Sequence, residues 1–94
     1  MVKKMTKPVG EPRQSDDTES MNERFLILHN DEVHTFDYVI DSLVEVCDHQ
    51  REQAEQCAMI THFKGKCDVK RGSVSALRSK RTELSHRGLI ATID

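Results

Sequence analysis

The stretch HNDEVHTFDYV, from His29 to Val39, decides the fold because it joins a predicted strand to a predicted helix. The apolar run that precedes it, Arg24 to Leu28, is typical of a buried strand. After it, apolar residues recur at helical spacing, which predicts a helix from about Thr35 to Cys47 with Thr35 as its N-cap. Asn30 and Asp31 favour the turn between the two elements. Such a corner holds acceptor side chains on a rigid scaffold, which suits a cationic or donor-rich ligand.

The rest of the chain alternates helical and extended patterns. A second helix is predicted from about Arg51 to Lys64, with Gly65 closing it. The alternating segment Lys66 to Lys70 predicts a half-exposed strand, and Ser73 is a good N-cap for a third helix. A last strand is predicted from Leu89 to Ile93. The order β-α-α-β-α-β indicates an α+β fold, in which a small antiparallel sheet packs against helices on one face.

The N-terminal segment differs in composition from the rest. Residues 1–22 are polar and have no apolar period, so we expect a flexible extension followed by one core domain at residues 23–94. The net charge of −2 and the lack of a basic block argue against nucleic-acid binding. With one Tyr and three Phe, a base-stacking platform is also not expected. No apolar run is long enough to span a membrane, and no secretory signal is visible.

The cysteines predict a reducing environment. Cys47, Cys57 and Cys67 form an odd set without close pairs, which is typical of a reduced protein and not of a disulfide framework. We therefore expect a cytoplasmic protein.

Three acceptor side chains are candidates for a binding site. Asn30, Asp31 and His62 offer an amide oxygen, a carboxylate and a neutral imidazole nitrogen. Together they would satisfy the three donors and the single charge of an ammonium group. His62 borders the predicted inward stripe of the second helix, which consists of Ala54, Cys57, Ala58 and Thr61. The alternative is therefore a structural histidine at the edge of the core.

Metal binding and catalysis are less well supported. A metal site would have to combine His29, His34 and His62 with Asp31, but none of the tight histidine or cysteine pairs of known metal sites is present. No serine lies in a Gly-x-Ser-x-Gly elbow, and the cysteines are typical of small core residues. We therefore expect no cofactor, no metal and no enzymatic activity.

Three segments, in their order and spacing, resemble the ClpS family. They are the run Leu26 to Glu32, the helical segment Phe36 to Ile40, and His62 to Cys67. The resemblance covers about Arg24 to Ile93. It implies three antiparallel strands and three helices after a flexible N-terminal arm. Members are non-enzymatic bacterial adaptors that bind N-degron substrates and deliver them to the Clp ATP-dependent protease.

The resemblance also implies residue roles. The first residue of a substrate would be Phe, Leu, Tyr or Trp, with its α-amino group held by Asn30, Asp31 and His62. The other implied positions are the side-chain pocket (Phe36, Val39, Ala58, Thr61, Leu89), the peptide-backbone contacts (Glu32, His34) and the ATPase-docking face (Ser75, Arg78). His34 stands where the family has a threonine, and Phe36 replaces a gating methionine. Ala58 and Thr61 replace bulkier residues, so we expect an altered preference for the first side chain.

The implied partners are the N-terminal domain of a Clp AAA+ ATPase of the ClpA or ClpC type, together with N-degron peptides and proteins. The protein would act as a monomer, without nucleic acid or membrane.

Two other functional classes remain open. One is an interaction module of the same fold without the acceptor triad, similar to the C-terminal domain of the bacterial ribosomal stalk protein. The other is a small redox protein or enzyme that uses Cys57 or Cys67 with His62.

Overall fold

A computed structural model describes residues 22–94. The predicted N-terminal extension, residues 1–22, lies outside this part of the chain except for its last residue. The elements in chain order are β1 (Arg24–His29), α1 (Phe36–Cys47), α2 (Arg51–Lys64), β2 (Lys66–Gly72), α3 (Val74–His86) and β3 (Ile90–Ile93). This is the predicted β-α-α-β-α-β order, and the α+β fold is confirmed.

The three strands form one antiparallel sheet in the order β2-β1-β3. The central strand β1 places Leu26 and Leu28 on one face, because alternate residues of a strand share a face, and both side chains are buried. They join a single core with apolar residues from all three helices. The helices therefore cover this face, whereas Phe25, which belongs to the opposite face, is more than a third exposed.

Several helix ends follow the predicted local signals. The Thr35 side chain accepts a hydrogen bond from the backbone N–H of Tyr38 at 3.1 Å, and Ser73 caps α3 in the same way. Gly65 ends α2 with a φ of 94°, a conformation that favours glycine. On α2 the predicted inward stripe is buried; it consists of Ala54, Cys57, Ala58 and Thr61.

Strand β2 is longer than its sequence pattern indicated. It continues past Lys70 because Arg71 and Gly72 pair with the start of β1. The register shifts between Leu26 and Ile27, which leaves Val69 as the extra residue of a bulge. The extra residue is buried, so Val69 contributes its side chain to the core. Within residues 22–94, none of the helices has the length and apolar character that a membrane span requires.

Candidate functional site

An open cavity of about 180 Å³ lies where β1 ends and α1 begins. Its walls come from the end of β1, the loop that follows, the start of α1, the second half of α2 and the entry to β3. The lining residues are Leu28, His29, Asn30, Asp31, Glu32, His34, Phe36, Val39, Ala58, Thr61, His62 and Leu89. The structure thus brings together every residue that the resemblance assigned to the amine, the first side chain and the peptide backbone.

Asp31 organises the loop at the polar end of the cavity. Its Oδ1 atom accepts hydrogen bonds from the backbone N–H groups of Val33 and His34, at 2.8 and 2.9 Å. This is the local side-chain-to-backbone pattern that makes aspartate a turn residue. The His34 ring adds a contact, since its Nδ1 atom lies 3.2 Å from each carboxylate oxygen. The position of the carboxylate is therefore determined by the loop before any ligand binds.

The surroundings of Asp31 keep it charged. Desolvation by burial would by itself raise the pKa of this carboxyl group. The hydrogen bonds from the backbone of His34 and Val33 and from the His34 ring oppose it and hold the pKa below its usual range. The side chain is 14% exposed and borders an open cavity, so a cation that enters the cavity can reach this negative charge.

A backbone contact draws the loop and α2 together. The N–H of Asn30 donates to the carbonyl oxygen of Gly65, the residue that ends α2, at 2.9 Å. This bond places Asn30 beside the last turn of α2, which carries His62. The His62 ring is exposed and packs against Phe36 and Phe63, with ring centroids 5.3 and 4.9 Å away. Asn30 and His62 lie some thirty residues apart in sequence, so only the folded chain makes them neighbours.

The other end of the cavity is apolar. Leu28, Ala58 and Leu89 are buried there, and Phe36 stands at the mouth with 45% of its surface exposed. Thr61 also lines this end, but its hydroxyl donates to the carbonyl oxygen of Cys57 at 2.7 Å. The helix therefore uses the one hydroxyl of this wall, and what remains suits a hydrocarbon side chain.

The two residues assigned to ATPase docking lie elsewhere. Ser75 and Arg78 are exposed on α3 and do not line the cavity. Any partner that they contact would meet a surface separate from the ligand site.

Sequence reasoning missed the interactions of His34. Besides its bond to Asp31, the ring stacks on Tyr38, with centroids 4.8 Å apart and an angle of 18° between the planes. The Tyr38 hydroxyl donates to the carbonyl oxygen of Arg87 at 2.7 Å. The only sequence signal for the bond between His34 and Asp31 was their spacing of three residues in a predicted turn. No sequence signal indicated the contact between Tyr38 and Arg87.

The thiols are poorly suited to chemistry. Cys57 and Cys67 are both buried, and burial raises the pKa of the Cys57 thiol and raises that of Cys67 to about 12. A reactive cysteine needs the opposite, an accessible group with a lowered pKa. Neither cysteine lines the cavity that contains His62. The hypothesis of a redox protein or cysteine enzyme therefore loses its structural basis.

Metal-ligating side chains are also not grouped. His29, Asp31 and His34 line one cavity, yet residues 22–94 contain no cluster of three or more His, Cys, Asp or Glu side chains that could hold a metal ion.

Fold and site together define a class of protein. The sheet is covered on one face by helices, and its cavity, anionic at one end and apolar at the other, has the polarity that suits an amphipathic ligand. The family model described as "ATP-dependent Clp protease adaptor protein ClpS" matches residues 19–92. The chain therefore belongs to the ClpS family of Clp protease adaptors.

A solved structure agrees with this fold. The chain is similar to Agrobacterium tumefaciens ClpS2 bound to L-phenylalaninamide, with a TM-score of 0.73 and 19% sequence identity. The match covers 77% of this chain and 94% of that one. At this level of identity the likeness concerns the fold alone. Among curated proteins no match was found.

Proposed function

We propose that this adaptor binds the free α-amino group and the bulky apolar first side chain of N-degron substrates. The observation that carries the proposal is a single cavity with a charged carboxylate at one end and a buried apolar wall at the other. An N-terminal residue is the part of a peptide that combines an ammonium group with a side chain on the same carbon atom. Its ammonium group would contact Asn30, Asp31 and His62.

The chemistry of a related ligand supports the assignment. The ClpS2 structure contains L-phenylalaninamide, a compound with a free α-amine and a phenyl side chain. In this chain the phenyl group of such a ligand would fill the space between Phe36, Val39, Ala58, Thr61 and Leu89. Glu32 and His34 would lie beside the peptide backbone.

The proposed contacts are strong enough for useful affinity. Burying a large apolar side chain contributes about 1.5–3 kcal/mol, and hydrogen bonds to charged groups contribute about 1.5–3 kcal/mol each. After the costs of association, these terms allow dissociation constants in the micromolar range or below. A blocked amine would lose the charge and leave the acceptors unpaired, so specificity for a free N-terminus follows from the same contacts.

The second proposed activity is the delivery of bound substrates to a Clp ATPase. The adaptor would act as a monomer in the bacterial cytoplasm and catalyse no reaction itself. It would dock on the N-terminal domain of a Clp AAA+ ATPase of the ClpA or ClpC type. Ser75 and Arg78 are exposed on α3, away from the cavity, so this helix could contact the ATPase while the cavity holds a substrate.

A direct binding experiment tests the ligand assignment. Fluorescence anisotropy would be measured with a labelled peptide that begins with Phe, beside the same peptide N-acetylated. We expect saturable binding of the free amine and none of the acetylated peptide. Equal binding of the two peptides, or binding of neither, would overturn the assignment and leave an interaction module of the same fold.

A further inference from the structure

We propose that His34 is a positioning residue, which orients the Asp31 carboxylate for the ligand's ammonium group and is itself held in place by Tyr38 and Gly88. The inference rests on the proposed function, because it concerns the same amine site. It assigns to His34 a role different from contact with the peptide backbone.

The two oxygens of Asp31 are not equivalent. Oδ1 accepts both backbone N–H bonds of the loop, whereas the only partner of Oδ2 within residues 22–94 is Nδ1 of His34, at 3.2 Å. An ionised carboxylate has about four lone-pair sites. Oδ2 therefore retains the acceptor capacity, and we assign it as the oxygen that meets the ammonium group.

His34 determines where this free oxygen points. The two backbone bonds hold Oδ1 alone, so they leave the carboxyl plane some freedom to rotate. The His34 Nδ1 atom lies at the same distance from both oxygens and restricts that rotation. Since a carboxylate can only accept, Nδ1 must carry the proton of the neutral ring, and Nε2 must carry the lone pair.

The imidazole ring is confined on the side away from Asp31. It stacks on Tyr38, whose hydroxyl is bonded to the carbonyl oxygen of Arg87. Next to that residue, Gly88 has a φ of +83°, and a Cβ atom on it would lie 3.1 Å from Nε2 and 3.2 Å from Cε1 of His34. A glycine at this position thus leaves the space that the ring occupies.

The same turn is anchored to α1 by a charged contact. The guanidinium group of Arg87 lies 2.7 Å from a carboxylate oxygen of Glu45. The turn between α3 and β3 is thus joined to α1 by the Tyr38–Arg87 hydrogen bond, and this solvent-accessible ion pair supplements it behind the His34 ring. Through that ring, residues more than fifty positions away in sequence help to orient Asp31.

Two substitutions of His34 distinguish the loss of the N–H donor from the loss of the aromatic ring. His34→Phe keeps a flat ring for Tyr38 but has no N–H for Asp31, whereas His34→Asn keeps a donor on the same branch of the side chain and loses the ring. For a free-amine peptide that begins with Phe, we expect about tenfold weaker binding by His34→Phe. His34→Asn should remain within about threefold of wild type. Wild-type affinity of His34→Phe, or an equal loss in both variants, would overturn the proposal.

A measurement without ligand keeps the proposal testable if a variant unfolds. Nitrogen-15 NMR of the wild-type imidazole groups near pH 8 should show His34 as the tautomer with the proton on Nδ1. A proton on Nε2 with an unprotonated Nδ1 would overturn the proposal.

A peptide titration of the wild-type protein distinguishes failure of the proposed function from failure of the positioning role. Absence of free-amine binding by the wild-type protein rejects the proposed function. Binding by wild type that is unaffected in His34→Phe rejects the positioning role alone.

Discussion

The β1–α1 loop and helix α2 supply two walls of one cavity but hold their polar side chains in different ways. In the loop, Asp31 receives two backbone hydrogen bonds and a contact to both oxygens from His34. On α2, His62 is exposed, and within residues 22–94 it has ring contacts with Phe36 and Phe63 but no hydrogen-bonded partner. One wall is therefore ordered by the fold, and the other has room to adjust.

This difference predicts unequal contributions to binding. A side chain that is already in place loses little conformational freedom when the ligand arrives, whereas an exposed ring has to be immobilised. We expect substitutions in the loop wall to reduce affinity most. Changes to the α2 wall should have intermediate effects, and changes to the support behind the loop should have smaller ones.

The largest loss is expected for Asp31→Asn. The amide oxygen can still accept the loop's backbone bonds, but the NH₂ group would face the ammonium group with a donor and no charge. We expect affinity for a free-amine peptide to fall at least about a hundredfold. Thermal stability should fall by a smaller amount, because the backbone bonds remain while the charge and the acceptor for the His34 ring are lost. Anisotropy and thermal unfolding measure the two effects. Affinity within about threefold of wild type would show that the amine binds elsewhere.

Asp31→Ala is the matched comparison for the loop. It removes the charge and also the acceptor for the N–H groups of Val33 and His34. We expect the same loss of binding, together with a loss of stability of about 1–2 kcal/mol, as for other aspartates that satisfy backbone donors. Equal stability of Asp31→Ala and Asp31→Asn would mean that the loop does not depend on these bonds.

An intermediate effect is expected on the α2 wall. His62→Ala removes a proposed acceptor from an exposed position, so we expect about tenfold weaker binding and nearly unchanged stability. His62→Gln keeps an acceptor and should lie between that variant and wild type. Isothermal titration of the three proteins gives the order. A loss in His62→Ala as large as in Asp31→Asn would remove the distinction between the two walls.

A smaller effect is expected behind the loop, and the chain offers a matched control. Gly65 and Gly88 both have positive φ values, 94° and 83°, but a Cβ on Gly65 would meet no atom within 4 Å, whereas one on Gly88 would meet His34. Both alanine variants should lose about 1–2 kcal/mol of stability from backbone strain. Gly88→Ala should also weaken peptide binding by a few fold through its contact with His34. Gly65→Ala touches no side chain of the site and acts only through the backbone bond to Asn30, so it should weaken binding less.

A double-mutant cycle with His34→Asn tests the cause of that difference. If the contact with the ring is responsible, the additional cost of Gly88→Ala should shrink in this background. If Gly88→Ala reduces peptide affinity by the same factor in both backgrounds, the loss comes from the backbone alone.

The smallest effect concerns stability in acid. The pKa of Asp31 in the folded state lies below the ordinary value of 3.8, so its ionised form stabilises the fold at all pH values above the ordinary one. That contribution is lost as pH falls through the lowered pKa. The stability difference between wild type and Asp31→Asn should therefore be constant from about pH 8 to pH 5 and shrink below about pH 4. Urea unfolding across this range measures it, and a difference that grew in acid would contradict the direction of the shift.

Much of the fold could be predicted because its signals are local. Thr35, Ser73 and Gly65 have side chains or backbone conformations that begin or end helices whatever surrounds them. The end of β2 was less predictable, since Arg71 and Gly72 are extended only because β1 pairs with them. Pairing is a property of two strands, and a single-strand pattern does not contain it.

The candidate site divides in the same way. Asp31 was recognisable as a turn residue from its immediate neighbours. Its association with His62 rested on the donors and charge of an ammonium group and on the family resemblance, because their spacing gave only a weak signal. The role of the ring of His34 was not accessible at all, because Tyr38 and Gly88 reach it through the packing of α1 against the turn before β3.

The sequence by itself therefore determined the order of the elements, the caps at Thr35, Gly65 and Ser73 and the apolar stripe of α2, because capping and periodicity act over a few residues. Only the tertiary structure decided how the walls of the cavity meet and which oxygen of Asp31 stays free for a ligand. Those features depend on strand register and helix packing, which bring together residues far apart in the chain. The contacts that form the cavity walls and orient Asp31 exist only when the whole core is folded.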